Sequence, residues 1–416
     1  MDDVVDRSGV YISLSVKVPR GVSSKVRYMN CRYKKEIGVI VVNALAHKGK
    51  NIFYSRSKTI VLPTQYNPKQ ITNYGISSAI SYLEKEGLVI NNIAPRDYGW
   101  YDHESISSSF IATDKLLGMF SVGKNVDNSK QTIVVDTQRV VLKDDDKNTV
   151  AYKECDITRY TRCSLSTYNK YISDQHITYL DKHKIVHNAS CCLTRIFNVE
   201  IGNTGRLYRS EIINIRSEYR QTILINGIET VEIDYSALHL RMLIDKYLCA
   251  DKIPSGVDAY MLPLTEDEQT VEANRDAVKT AFNILLNNSK RHLACSAIQQ
   301  YLNLKNRDCT IRSGSVLLSK IEEAYSFLPL QVILWQSKPL AYSLQKLDSD
   351  IALEIISAGV EDNIAVLPIH DSFVVQARHK NWLQDAMGNT YRKHLRTEEK
   401  VPVTVSFAGE DYKEFA

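Results

Sequence analysis

VEIDYSALHLRML, Val231 to Leu243, opens as a short apolar strand, places Asp234 at the strand's end and continues as a helix. A carboxylate in that position can hold a metal ion at the edge of a sheet. Far downstream, AVLPIHDSFVVQ from Ala365 to Gln376 reads as two short apolar strands joined by a turn at His370 and Asp371, a hairpin with an acid at its tip. Alone, each acid is an ordinary surface turn residue. Two such acids on neighbouring strands would clamp two divalent ions, which activate a 3′-hydroxyl and stabilise a leaving pyrophosphate during in-line displacement.

Between the two acids lies RDAVKTAFNILLNN, Arg275 to Asn288. Arg275, Lys279, Asn283 and Asn287 recur every four residues and so share one helical face, with Val278, Phe282 and Leu285 turned toward another. Two cations and two amides along a helix suit a triphosphate and a base lying against it. Without the flanking acids, the same pattern is an amphipathic surface helix.

The rest of the chain bounds these readings. At roughly 150 residues per domain, 416 residues suggest two or three domains. With 44% hydrophobic and 24% charged residues and few Gly and Pro, the chain is an ordinary globular protein and not a disordered or fibrous one. The net charge of 52 − 48 = +4 is uneven: between Lys17 and Lys69 twelve Lys or Arg face a single acid, Glu36. Such a segment repels itself unless it is solvated or paired with phosphates. No run of 18 apolar residues occurs and the N-terminus, MDDVVDRSGV, is acidic, so neither a membrane span nor a secretory signal is expected and the location implied is cytoplasmic. The eight cysteines form no CxxC pair, which suits reduced thiols.

The organisation ahead of Val231 is read from periodicity. Tyr33 to Lys48 reads as a helix with an apolar face and Ile52 to Leu62 as a strand or extended pair, broken by Pro63. Asn67 to Ile90 reads as a short helix, a turn near Gly75, and a second helix carrying Ser77, Ser78 and Ser81 before an apolar strand start. That order resembles a winged helix-turn-helix, a module that binds DNA or holds proteins together. Gly123 to Gln131 looks like a boundary, Asp144 to Asp146 like a hairpin turn, and Thr158 to His187 favours helices. His183, His187, Cys191 and Cys192 would put three ligands on one face of a helix, although the paired spacing usual for zinc is lacking. Many of the 24 tyrosines are interleaved with Lys and Arg, where they could stack bases, although tyrosines more often pack at a core margin.

In this order, the three segments around Asp234, Arg275 and Asp371 resemble motifs A, B and C of the family A nucleic-acid polymerases, the group of bacterial DNA polymerase I, whose motifs run DYSxxELR, RxxxKxxxF and HDE. TGRL at Thr204 to Leu207, Arg220 with Gln221, and QKLDSD at Gln345 to Asp350 extend the resemblance, which covers about residues 193 to 392. A divergent branch of phages and mobile elements is also similar, through Arg195 to Asn198, Ile225 to Gly227, Asp234 to His239, and Arg275 to Lys279. The resemblance implies an α+β right-hand polymerase, with an antiparallel palm sheet and helical fingers over 193–416. A helical thumb-like or linker region over 132–192 and a basic winged-helix-like nucleic-acid-binding domain over 1–125 would precede it. Asp234 and Asp371 would be catalytic and bind two Mg²⁺ ions, for which Mn²⁺ could substitute, with the Tyr235 carbonyl as a further ligand. Arg275 and Lys279 would hold the triphosphate, His239, Asn283 and Asn287 would border the nucleotide, and Arg206, Gln345 and His370 would contact primer or template.

Departures from the family qualify these roles. His239 stands where the family's sugar-excluding glutamate would be, which opens the choice between dNTPs and rNTPs. Asn283 and Asn287 replace aromatic residues, so looser geometric control and poor fidelity are expected. Ser372 replaces the second acid of motif C, as in single-subunit RNA polymerases. No proofreading exonuclease is expected, since such a domain needs several spaced acids on strands and the only DxE of the first half, Asp102 to Glu104, lies in a polar aromatic run. The function expected is primer synthesis or short gap filling on single-stranded DNA in phage or mobile-element replication. A helicase or single-strand-binding partner rests on that resemblance alone. Rivals are a single-subunit RNA polymerase, a template-independent terminal transferase, and an inert DNA-binding regulator.

Overall fold

A computed structural model of the chain describes residues 9–12, 14, 18–56, 66–67, 69–93, 108–120, 138–247, 253, 257–261, 268–304, 310–407 and 410–415. The chain divides into two compact units, residues 1–138 with 148–153 and residues 139–147 with 154–416. Gly123 to Gln131, Asp102 to Glu104, and the part of the Ile52 strand from residue 57 onward lie outside the described residues. No described helix is long and apolar enough to cross a membrane.

In the first unit, the helix Lys34–Ala46 is enclosed more fully than an amphipathic pattern requires: residues 37–44 are all buried. The sequence GVIVVNALA has no polar face to leave outside, and Asn43 is accommodated by donating to the Val39 carbonyl at 2.8 Å. Strands Asn51–Tyr54, Ser108–Ala112 and Val89–Asn92 lie side by side, antiparallel, with Gly9–Tyr11 parallel at the Asn51 edge. The expected pair of helices around Gly75 is instead one helix, Asn73–Lys85, capped by Thr72, whose hydroxyl accepts from the Gly75 amide at 2.9 Å. Gly75 makes room, not a turn: a Cβ there would sit 2.7 Å from Glu36 Oε1. The stretch before Thr72 is pinned by Asn67, which exchanges hydrogen bonds with both backbone groups of Ile71.

The second unit is built on an eight-stranded antiparallel sheet. Its central strand, Ile228–Tyr235, pairs with Ser372–Gln376 on one side. On the other it pairs first with Leu224–Ile225 and then with Pro402–Phe407. The hairpin partner Leu367–Ile369 closes one edge, Glu410–Phe415 extends another, and Ile177–Leu180 and Val186–Asn188 continue beyond Leu224. The expected helical run from Thr158 is therefore helix only over Asp156–Ser173. Beyond it, alternating Ile177 and Tyr179 find strand partners, and tertiary pairing decides the state. The four candidate zinc ligands consequently share no helix: His187 lies on a strand 3.0 Å from Asp181, and Cys191 is buried.

The helix Leu340–Glu361 buries Leu344, Ile351, Leu353, Ile355 and Ile356 in the core of this unit. Helices Glu268–Leu286, Arg291–Leu304 and Gly314–Ala324 contribute Phe282, Leu285, Ile298 and Leu317 to the same core. A smaller antiparallel pair, Thr194–Asn198 with Thr204–Tyr208, is tied to the Leu340 helix by two ion pairs, Arg195 to Asp350 at 2.6 Å and Arg206 to Asp348 at 3.0 Å. Gly205, at φ 95, admits Arg195: a Cβ there would lie 2.5 Å from the Phe197 ring, and its carbonyl accepts from Arg195 Nε at 2.6 Å.

Candidate active site

Side chains alternate across a strand, so Thr230, Glu232 and Asp234 share one face of the central strand while Val231, Ile233 and Tyr235 enter the core. The register places Ser372 and Thr404 on either side of Asp234, and Ser406 beside Glu232. All six polar residues line one cavity of about 690 Å³, a size suited to a small-molecule ligand. Asp371 reaches it from the tip of the hairpin, where its carbonyl accepts from the Tyr235 amide at 3.3 Å. The two acids that the sequence set far apart thus reach one cavity, Asp234 from the central strand and Asp371 from the turn of the adjoining hairpin.

Tyr235 borders the cavity through its backbone, because its ring is packed against Phe373 and Tyr391 and its hydroxyl donates to the Met387 carbonyl at 2.7 Å. Ala237 and His370 both adopt left-handed backbone, φ 56 and 59, a conformation that costs a non-glycine residue roughly 1 kcal/mol or more. The first turns the chain from strand into the helix Leu238–Lys246, bringing His239 to the cavity wall. The second tips the hairpin so that His370 and Asp371 face inward.

The helix Glu268–Leu286 forms the opposite wall. Arg275, Lys279 and Asn283 line the cavity, and Val278, Phe282 and Leu285 are buried behind them, as the periodicity predicts. Asn287 is not among the lining residues; its amide nitrogen donates to the Asn283 carbonyl at 2.9 Å. Four-residue steps advance about 40° each on a 3.6-residue helix, so after three steps the stripe has turned about 120°. Arg275 is paired with Asp258 at 2.8 Å. Arg206 and Gln345 do not line the cavity either, and Arg206 is committed to Asp348.

Electrostatics distinguish this pair of acids from surface turn residues. Burial first, then Asp371 and Glu232, raise Asp234 to about 8, with Lys279 and Arg220 opposing. Burial, followed by Asp348, also pushes Asp371 up. Asp348 goes the other way: burial raises it, but His239 and Arg206 outweigh that and hold its carboxyl below the usual range. His239 Nε2 lies 3.7 Å from Asp348, too far for a hydrogen bond, and is buried without a partner, as is His370 Nδ1. Burial and then Arg206 lower His370, so its ring is favoured neutral.

Among the described residues, no cluster of three or more His, Cys, Asp or Glu forms a ready-made metal cage. The two carboxylates are nevertheless hard oxygen donors of the kind that suits a divalent cation completing its shell with water and substrate phosphates. Two desolvated carboxylates that resist ionising together would be stabilised by a shared cation, and Tyr235 lines the same cavity.

Several cavity residues escaped the sequence reading. Glu232 stands two residues before Asp234, and strand alternation alone would have revealed it. Asp258 and Tyr260 come from a short segment with no periodicity. They reach the cavity because buried Arg241 donates to the carbonyls of Ile253 and Val257, and Tyr325 to that of Ala259. Tyr260, edge-on to Phe282, gives the cavity an aromatic side chain that Asn283 and Asn287 do not.

No protein-family model matches the sequence, and no curated protein matches it. A solved structure described as the POL domain of Pol1 from M. smegmatis in complex with DNA primer-template and dNTP is similar at 14% identity and a TM-score of 0.35. The similarity covers 61% of this chain and 52% of that one, so the chain spans about half the length of that structure.

Proposed function

We propose that the second unit is a metal-dependent nucleotidyltransferase of the family A polymerase type, adding nucleotides to a 3′-hydroxyl without proofreading. The observation that carries this reading is the convergence of Asp234 and Asp371, from distant segments, in one cavity facing Lys279 and Arg275. Divalent cations held by the two carboxylates and the Tyr235 carbonyl would supply hydroxyl activation and charge neutralisation at the leaving pyrophosphate. The chain's own groups do the positioning. Lys279 and Arg275 bind the triphosphate, Arg275 exchanging Asp258 for phosphate oxygens. Asn283 and Tyr260 border the base, and His239, beside buried Asp348, borders the sugar. His370, with a buried and unpartnered ring nitrogen, faces the primer terminus, while Arg206 ties its strand to the Leu340 helix through Asp348.

The first unit adds a nucleic-acid-binding head. Arg20, Arg27, Arg32, Lys34, Lys35 and Lys48 are exposed, as is Tyr28 at 87%, and Arg32 lies over the Tyr33 ring at 4.7 Å. Cations mixed with exposed aromatic rings suit single strands, whose bases stack and whose phosphates pair. The order of helix Lys34–Ala46, strand Asn51–Tyr54, helix Asn73–Lys85 and two further strands supports a winged-helix-type relation. The role we give the chain on this reading, primer synthesis or gap filling in mobile-element replication, rests on the resemblance in its sequence.

Primer extension with labelled nucleotides and Mg²⁺ tests the reading. Template-dependent dNTP incorporation that Asp234→Asn and Asp371→Asn each abolish is the expected result. Incorporation of rNTPs alone would make it an RNA polymerase, and extension without template a terminal transferase. DNA binding with no incorporation under any metal would leave an inert regulator.

A further inference from the structure

The hairpin of Ile177–Leu180 with Val186–Asn188 lies at one end of the eight-stranded sheet and turns through a run of exposed residues, Lys182, His183, Lys184, Ile185 and Val186. Its turn is fixed from within. Asp181 Oδ1 accepts from the amides of His183 at 2.8 Å and Ile185 at 2.9 Å, its Oδ2 lies 3.0 Å from His187 Nε2, and the His187 ring is stacked on Tyr179. The acid of the turn is thereby engaged inside the hairpin, while the Lys182 and Lys184 side chains pair with no described residue. Lysines also guard an edge strand against pairing with other chains. A guard does not explain why Ile185, 55% exposed, and Val186, 64% exposed, stand outward beside them. Cations next to aliphatic surface suit a sugar-phosphate backbone, which offers charge and sugar edges together.

The base of this hairpin adjoins the cavity rim. The Leu180 amide donates to Thr222 Oγ1 at 2.9 Å, and that hydroxyl donates to the Tyr219 carbonyl at 2.7 Å. Tyr219 belongs to the helix Ser217–Arg220, which packs against Ile177–Leu180 and lines the cavity through Ser217, Glu218 and Arg220, followed by Gln221. Resting on the nucleotidyltransferase reading, which puts a 3′-terminus in that cavity, we propose that the hairpin tip holds the primer-template duplex ending there, with Lys182 and Lys184 on phosphates and Ile185 and Val186 against sugars. The hydrogen bonds of the turn order it without DNA, so little conformational freedom is lost on binding. The duplex is the partner of this tip, whereas the single strand falls to the basic face of the first unit.

Fluorescence anisotropy of a labelled primer-template duplex with the full-length protein, over a range of NaCl concentrations, tests this alongside primer extension. Lys182→Ala with Lys184→Ala is expected to weaken duplex binding and to flatten its salt slope by about 0.9 for each phosphate no longer neutralised, about 1.8 in all. The extension rate at saturating duplex should be unchanged, with fewer nucleotides added per binding event. Lys182→Arg with Lys184→Arg keeps both charges and should keep the slope. Ile185→Ser with Val186→Ser should weaken the duplex and leave the slope as it is, and none of the three should alter single-stranded DNA affinity. A folded double-alanine variant with wild-type duplex affinity and salt slope overturns the proposal. So does a wild-type oligomer, seen by sedimentation, that Ile185→Ser with Val186→Ser dissolves without loss of duplex affinity, since the tip would then join two copies. Duplex binding needs no chemistry, which separates the two readings. If the lysines carry duplex affinity but the wild type adds no nucleotide under any metal, the hairpin stands and the polymerase reading falls; extension by a wild type whose affinity the double-alanine variant matches removes the hairpin alone.

Discussion

Without a cation beside it, the Asp234 carboxylate is a charge that the fold would be better without. Burial, Asp371 and Glu232 all favour its protonated form, so removing the charge should stabilise the metal-free protein while ending its chemistry. Asp234→Asn is expected to raise the metal-free melting temperature at pH 7.5 by about 2–4 °C for each kcal/mol relieved and to cut extension by about 10³-fold or more, the worth of several kcal/mol of transition-state charge stabilisation. Added Mg²⁺ should raise the melting temperature of the wild type and not of this variant, since only a ligand that binds the native state stabilises it. Equal Mg²⁺ shifts in both proteins would place the cation elsewhere. At this scale the sequence was most legible: Asp234, His239, Arg275, Lys279, Asn283, His370 and Asp371 all line the cavity. Asn287 is carried off the lining by helical drift, and Arg206, outside the lining, is paired with buried Asp348.

Between elements, ion pairs take over from periodicity. Arg195 is 1% exposed and joins a strand to the Leu340 helix through Asp350, so Asp350→Ala would strand a buried guanidinium. Breaking such a pair from one side costs about 3–5 kcal/mol, and urea unfolding should show a loss of that order, against near-wild-type stability for the exposed pair partner Asp156→Ala. The helix Asn73–Lys85 is hidden from a sequence reading because glycine usually signals a turn, and nothing local to Gly75 shows that Glu36 lies against it. If it is one capped helix, Thr72→Ala should cost the first unit about 1 kcal/mol. The same unit carries an acid-sensitive element. His47 at the end of the Lys34–Ala46 helix is lowered to about 4, by burial and then by Lys50. Its folded form is neutral, so as pH falls from about 6.5 the unfolded chain takes up the proton first. Stability is lost down to about pH 4 and is level below, by up to about 3 kcal/mol. His47→Gln should flatten that part of the unfolding profile; an unchanged slope would assign it to another group.

Taken whole, the molecule has one unit whose basic surface the sequence announced through twelve cations against a single acid, and another whose centre is assembled from segments far apart in the chain. The order of strand, helix and hairpin could be read in advance because each has its own period. The pairing of Ile228–Tyr235 with Ser372–Gln376 could not, because strand register is set by partners and not by the strand itself. Nor could the extension of the sheet through Ile177–Leu180, where a helical composition yielded to neighbouring edges. Exposed Arg27, Arg32 and Tyr28 make a prediction for the whole chain: Arg27→Glu with Arg32→Glu should weaken single-stranded DNA binding and flatten its salt dependence by about 0.7 for each phosphate no longer neutralised, while Asp234→Asn leaves that affinity intact. The most direct measurement is anomalous diffraction from crystals grown with Mn²⁺ and a non-hydrolysable dNTP analogue. The account predicts a Mn²⁺ peak bridged by Asp234 and Asp371 with the triphosphate against Lys279. A nucleotide bound elsewhere, or Mn²⁺ absent from between those two carboxylates, would contradict it.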